Sequence, residues 1–146
     1  MELNKKLSQI QAKLKAKKSK FNSFGKYNYR SAEDILEALK PYLIEHNVTV
    51  VINESIEEQA GLLIMNSVAT ISDGDTEIQA VALVAVDMEQ RGMNAPQKFG
   101  SASSYGKKYA LGNLFLIDDT ADSDATNKHG KEAKPKLEGA ALTKAK

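Results

Sequence analysis

The chain has 146 residues, 42% of them apolar and 27% charged, with a formal net charge of +1. That is enough for one domain with a sizeable core and fits a soluble globular chain. There is no cysteine, which excludes disulfides and thiolate metal sites, and His46 and His129 lie too far apart to suggest a ligand pair.

The longest aliphatic run, Ala80 to Val86, is too short to cross a bilayer. The lysine-rich start is not followed by an uninterrupted apolar segment, so no secretory signal is read and a cytoplasmic location is expected. The near-neutral total hides an uneven layout. Residues 1–30 carry nine basic groups and one acid, residues 31–99 three and twelve, and residues 100–146 eight and six. A basic end beside an acidic middle points to a polyanionic partner or to subunits packing head to tail, and equally to a lysine-rich helix that is merely soluble.

Leu3, Leu7, Ile10 and Leu14 form one apolar stripe, so a lysine-studded helix is predicted first. Residues 19–30, "SKFNSFGKYNYR", break that period. They interleave Phe21, Phe24, Tyr27 and Tyr29 with Lys20, Lys26 and Arg30, and Gly25 is read as a hinge. Rings that stack on bases beside cations that hold phosphates are what sequence-neutral single-strand binding uses. The alternative is that Phe21 and Phe24 are core staples, leaving only the tyrosines exposed. Ser31 then reads as an N-cap, with Glu33 and Asp34 in the first turn. A helix through about His46 follows, with a kink or break expected at Pro41.

The period next changes to two. Residues 48–56, 62–72 and 77–86 read as three strands joined by turns at 59–61 and 72–75. Residues 87–99 are predicted to be a loop, residues 101–117 a helix, and residues 126–146 a disordered lysine-rich tail. The predicted class is α+β: an antiparallel three-stranded meander covered by helices. The predicted domain spans residues 1–125.

The segment "GSASSYGKKYALGNLFLIDDTADSDA" (residues 100–125) is the most informative. As a phosphate loop it fails, because five residues separate Gly100 from Gly106 and Lys108 stands where a hydroxyl is needed. As a calcium loop from Asp122 it also fails, with Asn127 and Ala133 at the sixth and twelfth positions. Asp118, Asp119, Asp122 and Asp124 read best as a solvated acidic segment ending the helix, and because acids there oppose the helix dipole, contact with a basic neighbour is a candidate use. On a helical wheel Ala102, Tyr105, Tyr109, Gly112 and Leu116 fall on one side, and Ala110, Leu111, Leu114 and Phe115 on the other. Such a helix is expected to be buried twice, by its own sheet and by a second subunit. Leu111, Phe115, Asp118 and Asp119 are therefore candidate oligomer contacts. Lys107 and Lys108 lie at the remaining margins, where phosphate is a natural counter-charge.

This segment resembles the signature of the Erf family, the essential-recombination-function proteins of bacteriophages and prophages. "YNYRSAEDILEALKPYL" resembles that family's N-terminal block. The resemblance covers roughly residues 1–125. It implies a single-strand annealing protein that coats single-stranded DNA and pairs complementary strands without ATP, assembling as rings or filaments. Its fold would be similar to the β-β-β-α core of eukaryotic single-strand annealing mediators. Tyr105, Lys107, Lys108 and Tyr109 match the motif, with lysines where arginines are usual. Lysine keeps the charge and loses the bidentate, stacking fork.

The candidate DNA-binding residues are thus Lys107, Lys108, Tyr105, Tyr27, Tyr29, Arg30 and Lys26. No catalytic residue, metal or cofactor is expected. The expected partners are single-stranded DNA and further copies of the chain, with a phage exonuclease or a host single-strand-binding protein as additional candidates and no membrane. The chain ends soon after the motif, so a separate C-terminal domain is expected to be minimal or absent. The rival readings are a protector that binds without annealing, a magnesium-dependent nuclease using Asp118–Asp124, and a scaffold whose basic helix binds an acidic protein.

Overall fold

The computed structural model describes residues 1–89 and 91–117. The elements run α1 (Leu3–Lys13), β1 (Lys20–Asn22), β2 (Tyr27–Tyr29), α2 (Ala32–His46), β3 (Thr49–Gln59), β4 (Leu62–Ser72), β5 (Glu77–Ala85) and α3 (Ala95–Phe115). The α+β class and the three-stranded antiparallel meander are as predicted, in the order β3-β4-β5. The chain divides into two compact units. One comprises Met1–Ala16 with Ser31–Ile117, and the described part of the other is Lys17–Arg30. The expected boundary at residue 125 and the tail 126–146 lie outside the described residues.

In the larger unit the core follows from the periodicities. Leu3, Leu7 and Ile10 on α1 and Ile35 and Leu39 on α2 are buried, together with Ala69 and Ile71 of the central strand. Register explains the sheet's contribution. Ile71 pairs with Val50 and Ile78, and Ala69 with Ile52 and Ala80, so one pleat face is apolar across all three strands. The helices cover that face. Val51, Val81 and Leu83, at the alternate positions, remain exposed on the other.

Local chemistry sets the element ends. Ser31 and Asp34 form a reciprocal capping box, with the Asp34 N–H donating to Ser31 Oγ at 3.2 Å and the Ser31 N–H to Asp34 Oδ2 at 2.8 Å. The helix then continues through Pro41 to His46 without breaking. Packing of α2 on the core outweighs the one hydrogen bond that proline removes. The β3–β4 turn is the two residues Ala60 and Gly61, both at positive φ (52° and 82°), as a twisted hairpin requires. In the β4–β5 turn Asp73 Oδ1 accepts from the N–H groups of Thr76 (2.8 Å) and Asp75 (2.9 Å). These bonds, Thr76 first, hold its carboxyl below its ordinary value of 3.8.

The structure departs from the sequence reading in three places, the first being β3, which runs to Gln59 rather than residue 56. The last helix begins at Ala95 rather than Ser101, because Asn94 and Gln97 form a second capping box and Pro96 sits in the first turn, where no amide partner is needed. The segment predicted to be an irregular loop around Gly25 instead forms the β1–β2 hairpin, with Asn22 opposite Tyr27.

α3 packs on β4 and β5, and its burial rotates along its length. Ala102 in its first half joins Met65 and Val86 at one end of the sheet. Ala110, Leu111, Leu114 and Phe115 in its second half join the α1 and α2 residues in the main core. Gln11 of α1 donates to the Leu114 carbonyl at 2.8 Å. The side of the helix bearing Ala110, Leu111, Leu114 and Phe115 is therefore covered within the chain, whereas on the other side Ala102 and Gly112 are buried and Tyr105, Tyr109 and Leu116 are exposed.

Where α3 crosses β4 there is no room for a side chain. A Cβ on Gly106 would overlap Ser67 Oγ and lie 3.2 Å from Ser67 Cβ. Gly106→Ala should lower unfolding stability by about 1–3 kcal/mol in denaturant titrations, since the helix or strand must shift. Adding Ser67→Ala should cost less than the two single losses combined, because it removes the overlapping oxygen.

Candidate nucleic-acid interface

Once Gly106 fixes which side of α3 meets the sheet, the helical repeat decides what faces solvent. Tyr105 and Tyr109, one turn apart, are 52% and 42% exposed. Their rings are nearly parallel, at 16° with centroids 6.2 Å apart. Lys108 Nζ lies 6.0 Å from the Tyr109 centroid, within cation–π range. Lys107 and Lys108 are both half-buried. The face thus combines two flat rings with the Lys108 cation, which suits stacking plus phosphate contact. Tyr109, which the motif includes, joins Tyr105 in this geometry.

The serines of the same segment do something else. Ser103 Oγ donates to Glu54 Oε1 at 2.6 Å, and Ser67 Oγ to Glu54 Oε2 at 2.7 Å. One carboxylate on β3 therefore ties the central strand to α3. The distance in sequence, 49 residues from Ser103 to Glu54, left no local signal for this. Leu111 and Phe115 are 0% and 1% exposed. Their surface is already used inside the chain, so the sequence argument for a neighbour at these two residues loses its basis. Asp118 and Asp119 lie outside the described residues. Among the described residues, no three His, Asp or Glu side chains gather where they could hold one metal ion, and no helix is long and apolar enough to cross a membrane.

The remaining candidates, Lys26, Tyr27, Tyr29 and Arg30, belong to the second unit. Here exposure reverses one sequence expectation. The two phenylalanines, considered as core staples, are the exposed aromatics: Phe24 is 98% and Phe21 59% exposed. Tyr27 and Tyr29 are half-buried, with centroids 6.1 Å apart. The Tyr27 hydroxyl accepts from Asn22 Nδ2 at 3.1 Å, and its ring lies so close to Gly25 that an added Cβ would come within 2.8 Å of Cδ1. Tyr27 is thus committed to holding the turn. Arg30 is only 9% exposed, which leaves little of its guanidinium for a phosphate. Lys26 is exposed and sits at φ 58°.

The family model of the ERF superfamily matches residues 3–140. The chain belongs to the ERF superfamily. It is also 41% identical over 128 residues to the essential recombination function protein of Salmonella phage P22, an alignment covering 88% of this chain and 61% of that protein. The chain thus spans about three-fifths of that relative's length. No solved structure matches it. Within this ERF chain the α3 face and the hairpin are the two groupings of exposed aromatic and basic side chains that the sequence motifs single out.

The hairpin geometry rests on Asn22. Its Oδ1 accepts from the N–H groups of Phe24 and Gly25, both at 2.9 Å. Asn22→Ala should remove hydrogen-exchange protection from those two amides while leaving the Ala69 amide of the central strand unchanged, since turn and sheet open independently.

Proposed function

We propose that this ERF-family chain is a phage recombination protein that binds single-stranded DNA and anneals complementary strands without nucleotide, acting as a homo-oligomer. The observation that carries the reading is the solvent face of α3, where the stacked Tyr105–Tyr109 pair stands beside Lys108. The matched relative's name, essential recombination function protein, points the same way.

The physical demands of annealing are modest. A strand must be held extended, the repulsion between two polyanions must fall, and mismatched pairings must be released. Ring faces stack on any base, and lysines bind phosphate without reading sequence. Repeating such a face along an oligomer turns weak contacts into avidity. No bond is made or broken, so the reading assigns no catalytic residue. The exposed apolar face of the sheet, with Val51, Val81 and Leu83, and the opposite charges of the first thirty residues and the middle supply the means for subunits to associate. A phage exonuclease or a host single-strand-binding protein would be a further partner of such an assembly.

Labelled complementary oligonucleotides should anneal faster with the protein than without it, in the absence of any nucleotide. Binding without faster annealing would favour the protector, divalent-dependent cleavage the nuclease, and no affinity for oligonucleotides the scaffold. Lys107→Glu with Lys108→Glu should weaken binding about tenfold or more. It should also flatten the slope of log K against log salt by about 1–2, while thermal unfolding changes little. Light scattering at micromolar concentration should give a mass several times the 15.9 kDa of one chain. A monomer both with and without single-stranded DNA would remove the oligomer from the proposal.

A further inference from the structure

The second unit contains a feature that the α3 face does not explain. Residues 17–30 hold five basic side chains, Lys17, Lys18, Lys20, Lys26 and Arg30, and no acid. At the tip of this segment the ring of Phe24 is almost wholly in solvent. A phenylalanine left exposed forgoes the burial its ring would otherwise gain, and in a loose loop it would fold back onto its neighbours.

Here the turn prevents that. Asn22 Oδ1 holds the N–H groups of Phe24 and Gly25. The Lys26 N–H donates to the Asn22 carbonyl at 2.6 Å, and Lys26 takes the left-handed conformation that closes the loop. Tyr27 packs on Gly25 and is pinned by Asn22 Nδ2. Asn22, Gly25 and Tyr27 thus build a stiff mount, and what the mount displays is Phe24.

We infer that Phe24 is a wedge that enters the base stack of single-stranded nucleic acid, with Lys20 and Lys26 on the flanking phosphates. The inference rests on the single-strand reading above and adds to it a residue and a mode of contact. Charge selects the occupant. The exposed Lys17, Lys20 and Lys26, in a segment without an acid, attract a polyanion. The ring selects the mode, since it has no polar atom with which to read a base edge and can only stack. Lys20, on β1, and Lys26, at the end of the turn, are both exposed and stand on either side of Phe24 in the hairpin. The assignment moves the aromatic role from Tyr27, which supports the turn, to Phe24, which the turn presents.

The chain contains no tryptophan, which makes the test direct. In the full-length Phe24→Trp variant the new indole is the sole tryptophan reporter, at a position where bulk is free to extend into solvent. Titration with oligo(dT) should quench its emission strongly, as stacking on bases does. Phe24→Ala should bind the same oligonucleotide about tenfold more weakly with an unchanged salt slope, because the lost side chain carries no charge. Asn22→Ala, which keeps the ring and loosens its mount, should fall between Phe24→Ala and the wild type. If the Phe24→Trp protein binds the strand with no change in emission, or if Phe24→Ala binds as tightly as the wild type, the wedge is wrong and the single-strand reading survives. If the wild type does not bind oligo(dT), both fall. A blue shift with vesicles containing phosphatidylglycerol but none with oligo(dT) would assign the tip to an anionic membrane. A blue shift that grows with protein concentration alone would assign it to a second copy, and either result overturns the proposal.

Discussion

The close approach of α3 to the central strand governs the larger unit. Gly106 lies over Ser67 with no space for a Cβ, and the Glu54 carboxylate accepts from Ser67 on the strand and Ser103 on the helix. The contact fixes both distance and rotation. A helix that could slide or turn by one residue would carry its exposed side about 100° round, and Tyr105, Lys108 and Tyr109 would no longer share the solvent face. The small residues of the 100–106 stretch thus serve the surface indirectly, by fixing what the helix presents.

The same helix shows how burial can differ along one element. Its first half packs on one end of the sheet and the segment that follows β5, and its second half lies between the sheet and the pair α1 and α2. This accounts for the apolar side that bears Ala110, Leu111, Leu114 and Phe115, while Tyr105, Tyr109 and Leu116 on the other side stay exposed. The far face of the sheet is a further exposed apolar surface, where Val51, Val81 and Leu83 are exposed by the strict alternation of a strand with one side in the core. An oligomer built on that face would leave the α3 tyrosines uncovered.

Stiffness is distributed in the hairpin by other means. Three short strand residues on each side cannot supply much packing, so side-chain to backbone bonds replace it. One asparagine makes two such bonds through its oxygen and a third, to the Tyr27 hydroxyl, through its nitrogen. A tyrosine that looks from its composition like a stacking residue becomes part of the mount, and a phenylalanine that looks like core becomes the exposed tip.

The amino-acid sequence by itself determined the elements whose cause is local. The stripe Leu3, Leu7, Ile10, Leu14 is a helix face in any context, Ser31 with Asp34 is a cap over four residues, and the period-two runs from 48 to 86 form neighbouring strands because short turns leave no other pairing. Only the tertiary structure decided matters set by contacts distant in the chain. It used Gly106 and Ser103 for packing against Ser67 and Glu54, covered Leu111 and Phe115 with α1 and α2, and buried Arg30. The exchange of roles between Tyr27 and Phe24 is local in sequence, yet it too escaped periodicity, because the hydrogen bonds of Asn22 rather than hydrophobicity direct the chain there. Hydropathy tells which residues can leave water; which of them do so depends on the partner that the fold brings within reach.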